Sequence, residues 1–465
     1  SMQTLTKNLD QTLNVYADVI VNPAFPSAEL ESIRRRTLVG FLQRKSNPSA
    51  VASVVYDKVL YGNQPYGRQL GGDEKSIKAM TANDLSAFYN ANYHPNNATL
   101  IVVGDVDSKT ILPKLEKAFA DWKAGNAVST PNVSQEMMAK PGIYLVDKPG
   151  AVQSSVYIGQ VGISRDNPDY YAVQVMNSIL GGSSSARLYM NLREDKGYTY
   201  GAYSQVSAFK YKGTFTANTE VRTDVTDGSM KELFFELNRI RDEKVDAKDL
   251  ENAKRSITGE FALQFESPQS LLGNFLTTRI YGLGDNYWNE YPAKIAAVSP
   301  EDIQRVAKKY IDLKHLQIVA VGDGKKIYDS LKKYGKVEVF DGEGKPKDLM
   351  APEPKPAAPA AGGGIAGNWD LLLKTPDGND VPLKASLTQE GAKVGGSIDS
   401  MMGALAISGG TLNGDNLEFK ATGEAQGQKV EILFSGKASS GQLRGTFTIQ
   451  GAPIPPMEVS GTRAK

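Results

Sequence analysis

Side chains suited to covalent or metal chemistry are scarce in this sequence, and the scarcity excludes a great deal. There is no cysteine, so thiolate catalysis, disulfides, Cys-ligated zinc and iron–sulfur clusters are excluded. Only two histidines occur, His94 and His315, 221 positions apart. A hydrolytic zinc site usually draws two or three histidines together, so these two read as satisfied loop residues. Glu29, Glu31, Asp249, Glu251 and Glu260 could do acid–base work. Their helical spacing to Lys and Arg makes them ion-pair partners instead. Arg34-Arg35-Arg36 and Arg44-Lys45 could hold phosphate, but in a chain of net charge +1 they read as a solvated helix face, with a subunit contact as the alternative. Gly181-Gly182-Ser183-Ser184-Ser185 lacks the Lys-Ser/Thr of a phosphate-binding loop and reads as a helix end and hinge.

These residues sit on a duplicated frame. Leu30-Glu31 matches Leu250-Glu251, Arg35 matches Arg255, Pro48 matches Pro268 and Tyr61-Gly62 matches Tyr281-Gly282, each at an offset of 220. Asp84-Leu85 then matches Asp302-Ile303, and Val103-Gly104-Asp105 matches Val321-Gly322-Asp323, at 218. Such a constant offset is the mark of an internal repeat. Each copy opens with an amphipathic helix (Leu9, Leu13 and Ile20; Met230, Leu233 and Leu237). A long charged helix follows, near 28–44 and 247–265. Later comes a capped helix after Thr81 or Ser299. A buried strand closes each copy, Thr99–Val103 and Gln317–Val321. The second copy also has an upstream portion near 143–222: strands at 143–146, 155–160, 202–208 and 213–219 around a helix at 169–180. Subtracting 220 places its counterpart before residue 1, so the first copy is expected to lack its first ~80 residues, removed from the natural chain.

The 465 residues allow about two to four domains. Hydrophobic residues at 40% and charged residues at 23% suit a globular protein. The near-neutral charge gives no electrostatic case for nucleic acid, and no apolar run is long enough for a transmembrane segment. Residues 351–364 are a Pro/Ala/Gly linker. Beyond it, short alternating stretches broken by Pro376-Asp377-Gly378, Glu390-Gly391, Asn413-Gly414 and Ser440-Gly441 predict a small all-β sandwich or up-and-down barrel. Trp369 would plug one end of its core, and Phe419 and Phe434 read as core residues.

The frame carries recognisable strings. Asn22-Pro23-Ala24-Phe25-Pro26, Pro65-Tyr66-Gly67, Tyr93-His94-Pro95-Asn96-Asn97-Ala98 and Val102-Val103-Gly104-Asp105 resemble the first half of a pitrilysin/insulinase-type (M16) metallopeptidase. Leu180-Gly181-Gly182, Arg187-Leu188 and Leu192-Arg193-Glu194-Asp195-Lys196-Gly197-Tyr198-Thr199-Tyr200 resemble that family's C-terminal half. The likeness spans roughly 3–345 and leaves the β-domain outside. It implies an α+β fold: two half-domains of mixed or antiparallel sheet plus helices, the first without its amino-terminal part. The implied divisions are a partial first half-domain at 1–135, a second at 136–350, the linker at 351–364 and an all-β domain at 365–465.

The family's active half binds zinc through His-x-x-Glu-His and a distant Glu, the motif Glu serving as general base. The other half supplies an Arg and a Tyr seven residues apart that hold the substrate backbone and stabilise the oxyanion. By resemblance these are Arg193 and Tyr200, with Gly181 and Gly182 as candidate substrate-binding positions. No His-x-x-Glu-His occurs here. The matching positions for the distant Glu and its companion fall at Gly40 and Ile33, neither of which can ligate a cation. The chain alone is therefore expected to be inactive and to hold no metal, with zinc in a partner subunit or in a missing segment. The expected partners are a zinc-bearing M16 subunit in a hetero-oligomer, or a second copy in a homodimer, and a peptide substrate. Two other readings stay open: a peptide-binding or structural scaffold without chemistry, and a zinc metallopeptidase whose motif segment was removed. The expected location is a bacterial periplasm or cell envelope.

Overall fold

The structure, a computed structural model, describes residues 1–126, 133, 141–342, 344–349, 364–375, 380–400, 403–425, 428–439, 441–450 and 455–464. The chain divides into two compact units, Ser1–Leu349 and Met350–Lys465. The linker stretch 351–363 and the Pro376-Asp377-Gly378 turn lie outside the described residues.

The first unit opens on helices α1 (Leu9–Val21), α2 (Ser27–Ser46), α3 (Pro48–Tyr61), α4 (Glu74–Ala79), α5 (Ala82–Asn92) and α6 (Ser108–Ala118). Local chemistry sets their starts. Asn47 caps α3 by accepting from the Ala50 N–H, with Pro48 at the first helical position. Thr81 and Asp84 exchange hydrogen bonds in a capping box at α5. The same device recurs as Ser299 and Asp302 at the equivalent helix of the second repeat.

That second repeat runs β1 (Gly142–Asp147), β2 (Gln153–Val161), α7 (Tyr170–Leu180), a short turn α8 (Arg187–Tyr189), β3 (Thr199–Ser207) and β4 (Thr214–Arg222). It continues with α9 (Thr226–Asp242), α10 (Ala247–Leu263), α11 (Pro268–Tyr281), α12 (Tyr287–Ala296), α13 (Pro300–Tyr310), β5 (Gln317–Gly322), α14 (Gly324–Lys332) and β6 (Val337–Phe340). The strands form one mixed sheet in the order β3-β4-β2-β5-β1-β6. β1 lies parallel to β5 and β6, and the other pairs are antiparallel.

Alternation along the strands gives the sheet two apolar faces. Ile143, Leu145, Val156, Ile158, Ile318 and Ala320 face the main core with the helices of their own repeat. Val146, Val319 and Val321 face the other way, onto Ala52, Tyr56, Leu60 and Tyr61 of α3. The first repeat thus covers the back of the second repeat's sheet.

One expected strand does not form. Residues 99–103 lie outside any strand, and Leu100 and Val102 are exposed. A strand needs hydrogen-bonded neighbours. β5 lies between β1 and β2, whereas no strand lies beside 99–103 among the described residues.

The second unit is a closed eight-stranded meander. Its strands are β7 (Gly367–Lys374), β8 (Asp380–Glu390), β9 (Lys393–Ser400), β10 (Gly403–Asn413), β11 (Asn416–Ala425), β12 (Gln428–Ser439), β13 (Gln442–Ile449) and β14 (Met457–Arg463). β14 pairs back onto β7, so no edge is left open. Phe419 stacks on Phe434 at 4.8 Å, and Phe447 meets them edge-on inside the barrel. The buried Trp369 indole donates to the Ile365 carbonyl at 2.9 Å. No helix among the described residues is long and apolar enough to cross a membrane.

Candidate functional site

Arg193 lies on a π-helical turn, Met190–Asp195, that continues from α8. Three backbone hydrogen bonds close the turn: Lys196 N–H to Asn191 O, Gly197 N–H to Arg193 O and Tyr198 N–H to Leu192 O. Gly197 adopts a φ of +63°, a conformation that favours glycine, and sends the chain into β3. The turn is pinned to α9 from below. The buried Asn191 amide donates to Glu232 at 3.0 Å and to Glu236 at 2.9 Å.

Tyr200 is aimed by an irregularity in the ladder. The β3–β4 register shifts between Thr199 and Ala202, as a β-bulge does. Inside the shift, the Thr199 hydroxyl donates to the Glu220 carbonyl at 2.5 Å and accepts from the Gly201 N–H at 3.0 Å. Thr199 and Ala202 are buried, while Tyr200 between them is 82% exposed. The Arg193 guanidinium lies 5.2 Å from the centre of the Tyr200 ring, within cation–π range. It also donates to the Thr199 carbonyl at 3.3 Å. Its nearest carboxylate, Glu194, is 3.9 Å away, and both side chains are partly exposed, so that pair is weak. A guanidinium and a phenol therefore stand together at the surface with donor capacity to spare. They can grip a carbonyl and stabilise negative charge on its oxygen, but they cannot supply a water nucleophile.

Gly181 and Gly182, the candidate substrate-binding positions, differ in burial. Gly181 is buried at the end of α7; its N–H donates to the Asn177 carbonyl and its carbonyl accepts from the Ser204 N–H, both at 2.9 Å. An added Cβ there would collide with Ser204, so the glycine allows α7 to close on β3. Gly182 is exposed.

The donor set does not fit a zinc ion. α2 is a helix throughout Ser27–Ser46. Ile33 on it is exposed, and nothing lies within 4 Å of a Cβ built on Gly40. There is room for a glutamate at 40; the carboxylate itself is missing. Glu31 pairs with Arg34 at 2.9 Å, whose hydrogen bond lowers its pKa despite a small opposing desolvation. α7 carries no histidine. Among the described residues no three His, Cys, Asp or Glu side chains converge. His94 packs on Gly125, and the His315 Nδ1 meets Asp312 at 2.5 Å.

Several contributors escaped the sequence reading. Glu236 falls within the apolar stripe Leu233, Leu237 and Ile240 of α9, and a carboxylate in such a stripe signals a buried partner. Arg34, expected on a solvated face, is instead mostly buried and donates to the Ile77 and Met80 carbonyls at the end of α4. Asp249 reaches Arg187 at 3.5 Å. Asp169, just before α7, is held by Arg305 at 2.7 Å, Lys309 at 2.8 Å and Tyr310 at 2.7 Å.

Comparison with known proteins adds a second line. Residues 79–257 match the family described as the peptidase M16 inactive domain. A crystal structure of a peptidase M16 inactive domain from Pseudomonas fluorescens is 30% identical, with a TM-score of 0.63, over 67% of this chain and 74% of that one. A Streptomyces coelicolor protein, called an uncharacterized zinc protease, is 24% identical over 66% of this chain and 68% of its own length. YmxG of Bacillus subtilis, under the same description, is 25% identical over 58% of this chain and 64% of its own. The chain thus spans about two thirds of these curated relatives. The Leu-Arg-Glu turn and the bulged strand bearing Tyr200 lie inside the matched span, and on this likeness the chain belongs to the M16 peptidase family.

Proposed function

We propose that this is a non-catalytic M16 subunit that assists peptide hydrolysis by a zinc-bearing M16 partner. The observation that carries the proposal is the Arg193–Tyr200 pair: a half-buried guanidinium against an exposed phenol, adjacent and donor-rich, in a chain whose positions matching the family's zinc-ligand glutamates hold Ile33 and Gly40. Catalysis then divides by chemistry. The partner supplies the metal and the attacking water. This chain supplies donors for the substrate carbonyl, which act only as charge builds on its oxygen.

The test is a mixing experiment. The zinc-bearing M16 chain that co-purifies from the native cell would be prepared separately and titrated with this one against a quenched-fluorescent peptide library. Cleavage should rise with added subunit and saturate at a fixed stoichiometry. A stable complex with unchanged cleavage would contradict the assisting role and leave a scaffold. We place the protein in a bacterial periplasm or cell envelope; the cysteine-free sequence is compatible with export, and cell fractionation tests it.

A further inference from the structure

Arg165, in the loop after β2, is a buried cation without a counter-ion. Its backbone N–H donates to the Phe209 carbonyl at 2.8 Å. The residue is only 8% exposed. Its guanidinium lies between two rings, 3.8 Å from the centre of Tyr170 and 4.9 Å from that of Tyr287. Ring faces attract a cation, but a buried charge is costly unless it is also paired and hydrogen-bonded. The Arg165 Nη1 has no hydrogen-bond acceptor among the described residues. It sits in the wall of a cleft of about 620 Å³. Three carboxylates line the same cleft, and each is engaged elsewhere. Asp166 accepts from the Ser164 hydroxyl, Asp169 from Arg305 and Lys309, and Asp302 from Ser299 and Arg305. Lys294, also in the wall, pairs with Glu290 at 2.8 Å.

The first turn of α7 forms one side of this cleft. No side chain caps that helix. The N–H groups of Tyr171 and Ala172 have no acceptor among the described residues, so the positive end of α7 borders the cleft. Most of the remaining wall is apolar, with the rings of Tyr171 and Tyr287 beside Leu283 and Val298. Gly282 and Gly284, between α11 and α12, leave its mouth open, since nothing lies within 4 Å of a Cβ built on either.

We infer that this cleft binds a carboxylate carried on an apolar or aromatic body. A guanidinium matches a carboxylate with two parallel hydrogen bonds, and a helix N-terminus adds backbone donors. One unpaired cation calls for one negative charge. A phosphate dianion would press a second charge toward Asp166, Asp169 and Asp302. The tyrosine rings, Leu283 and Val298 suit the apolar body. The acid is either a free small molecule or the carboxyl terminus of a peptide, which present the same chemistry. The cleft shares no lining residue with the Arg193–Tyr200 pair, so the inference does not rest on the assisting role.

The test is titration calorimetry on the 465-residue chain with four probes: 3-phenylpropionate, its neutral amide, phenyl phosphate, and the tripeptide N-acetyl-Ala-Ala-Phe with a free carboxyl terminus. At least one of the two acids should bind saturably, about 10-fold or more tightly than the amide or phenyl phosphate. Whichever acid binds more tightly identifies the source, free acid or peptide terminus, and either order supports the site. Arg165→Met keeps much of the side chain's bulk between the rings and should weaken acid binding by about 10-fold or more. Gly284→Leu places a side chain where the structure leaves space and should block the cleft without touching Arg165, so it decides the matter if Arg165→Met fails to fold. Absence of saturable acid binding by the folded protein would overturn the inference. Equal binding of the amide, tighter binding of phenyl phosphate, or acid binding unchanged by Gly284→Leu would each do the same.

Discussion

Tyr56 reaches the second repeat's sheet through the space that Gly159 leaves open. Its buried hydroxyl donates to the Phe215 carbonyl at 2.7 Å, and any Cβ at 159 would collide with both that hydroxyl and that carbonyl. A helix of the first repeat is thereby locked onto a strand of the second by one glycine. Gly159→Val should unseat α3 and cost about 3 kcal/mol or more through overpacking and the orphaned carbonyl. Tyr56→Phe, which removes only the hydroxyl, should cost about 1–3 kcal/mol. Denaturant unfolding measures both. Equal losses would show that the glycine has no role beyond the hydrogen bond.

Asp169 ties the start of α7 to α13. Burial alone would raise its pKa, but hydrogen bonds from Lys309, Tyr310 and Arg305 outweigh it and bring the value down to about 2. A carboxylate with a depressed folded-state pKa adds stability above its unfolded value, near 4, and that stability is lost as pH falls from about 4 to about 2. The contribution is on the order of 2 kcal/mol at neutral pH. Asp169→Asn should lose it at pH 7 and match the unmodified protein near pH 2, as read by thermal melts across pH.

Asp57 behaves in the opposite sense. Burial on α3 pushes its pKa up to about 6. The folded state therefore favours the protonated acid, and stability falls as pH rises from about 4 to about 6. Asp57→Asn should raise stability at pH 7 by about 1 kcal/mol, a figure reduced because the group is partly solvated, and should change little at pH 3.5. A loss at pH 7 would mean that the carboxylate has a charged partner.

Arg463 closes the barrel. It pairs across the β14–β7 seam with Trp369, holds its guanidinium 5.7 Å from the indole centre, and donates to the Gly364 and Ala366 carbonyls at 2.7 and 2.6 Å. Arg463→Met should cost the barrel about 1–3 kcal/mol. Calorimetry should show one transition moving down and the other, from residues 1–349, staying in place.

Sequence carried the periodic and local features best. The capping residues Thr81 and Ser299, the apolar stripe of α9 and the buried run of β5 follow from spacing and chemistry within a few residues of each other. The segment at 99–103 has the same β-branched run, yet strand formation depends on neighbours that spacing cannot supply. The docking of α3 was invisible for a related reason: Tyr56 and Gly159 are distant in sequence, and neither is unusual alone. At the candidate site, the string around Arg193 and Tyr200 was legible as a resemblance. The outward aim of Tyr200 was not, because it comes from a register shift anchored by the Thr199 hydroxyl. Asn191 was missed because its partners, Glu232 and Glu236, lie about 40 residues away on α9.

In the proposed role, Arg193 and Tyr200 act on substrate in a partner's zinc site. The most direct measurement is kcat and KM for peptide cleavage by the assembled complex carrying Arg193→Ala or Tyr200→Phe, with assembly checked by size-exclusion chromatography. Intact complexes are expected, with kcat lowered by about 100- to 1,000-fold and KM changed far less, because the lost donors act on the transition state. Full activity from an assembled complex bearing both substitutions would contradict it.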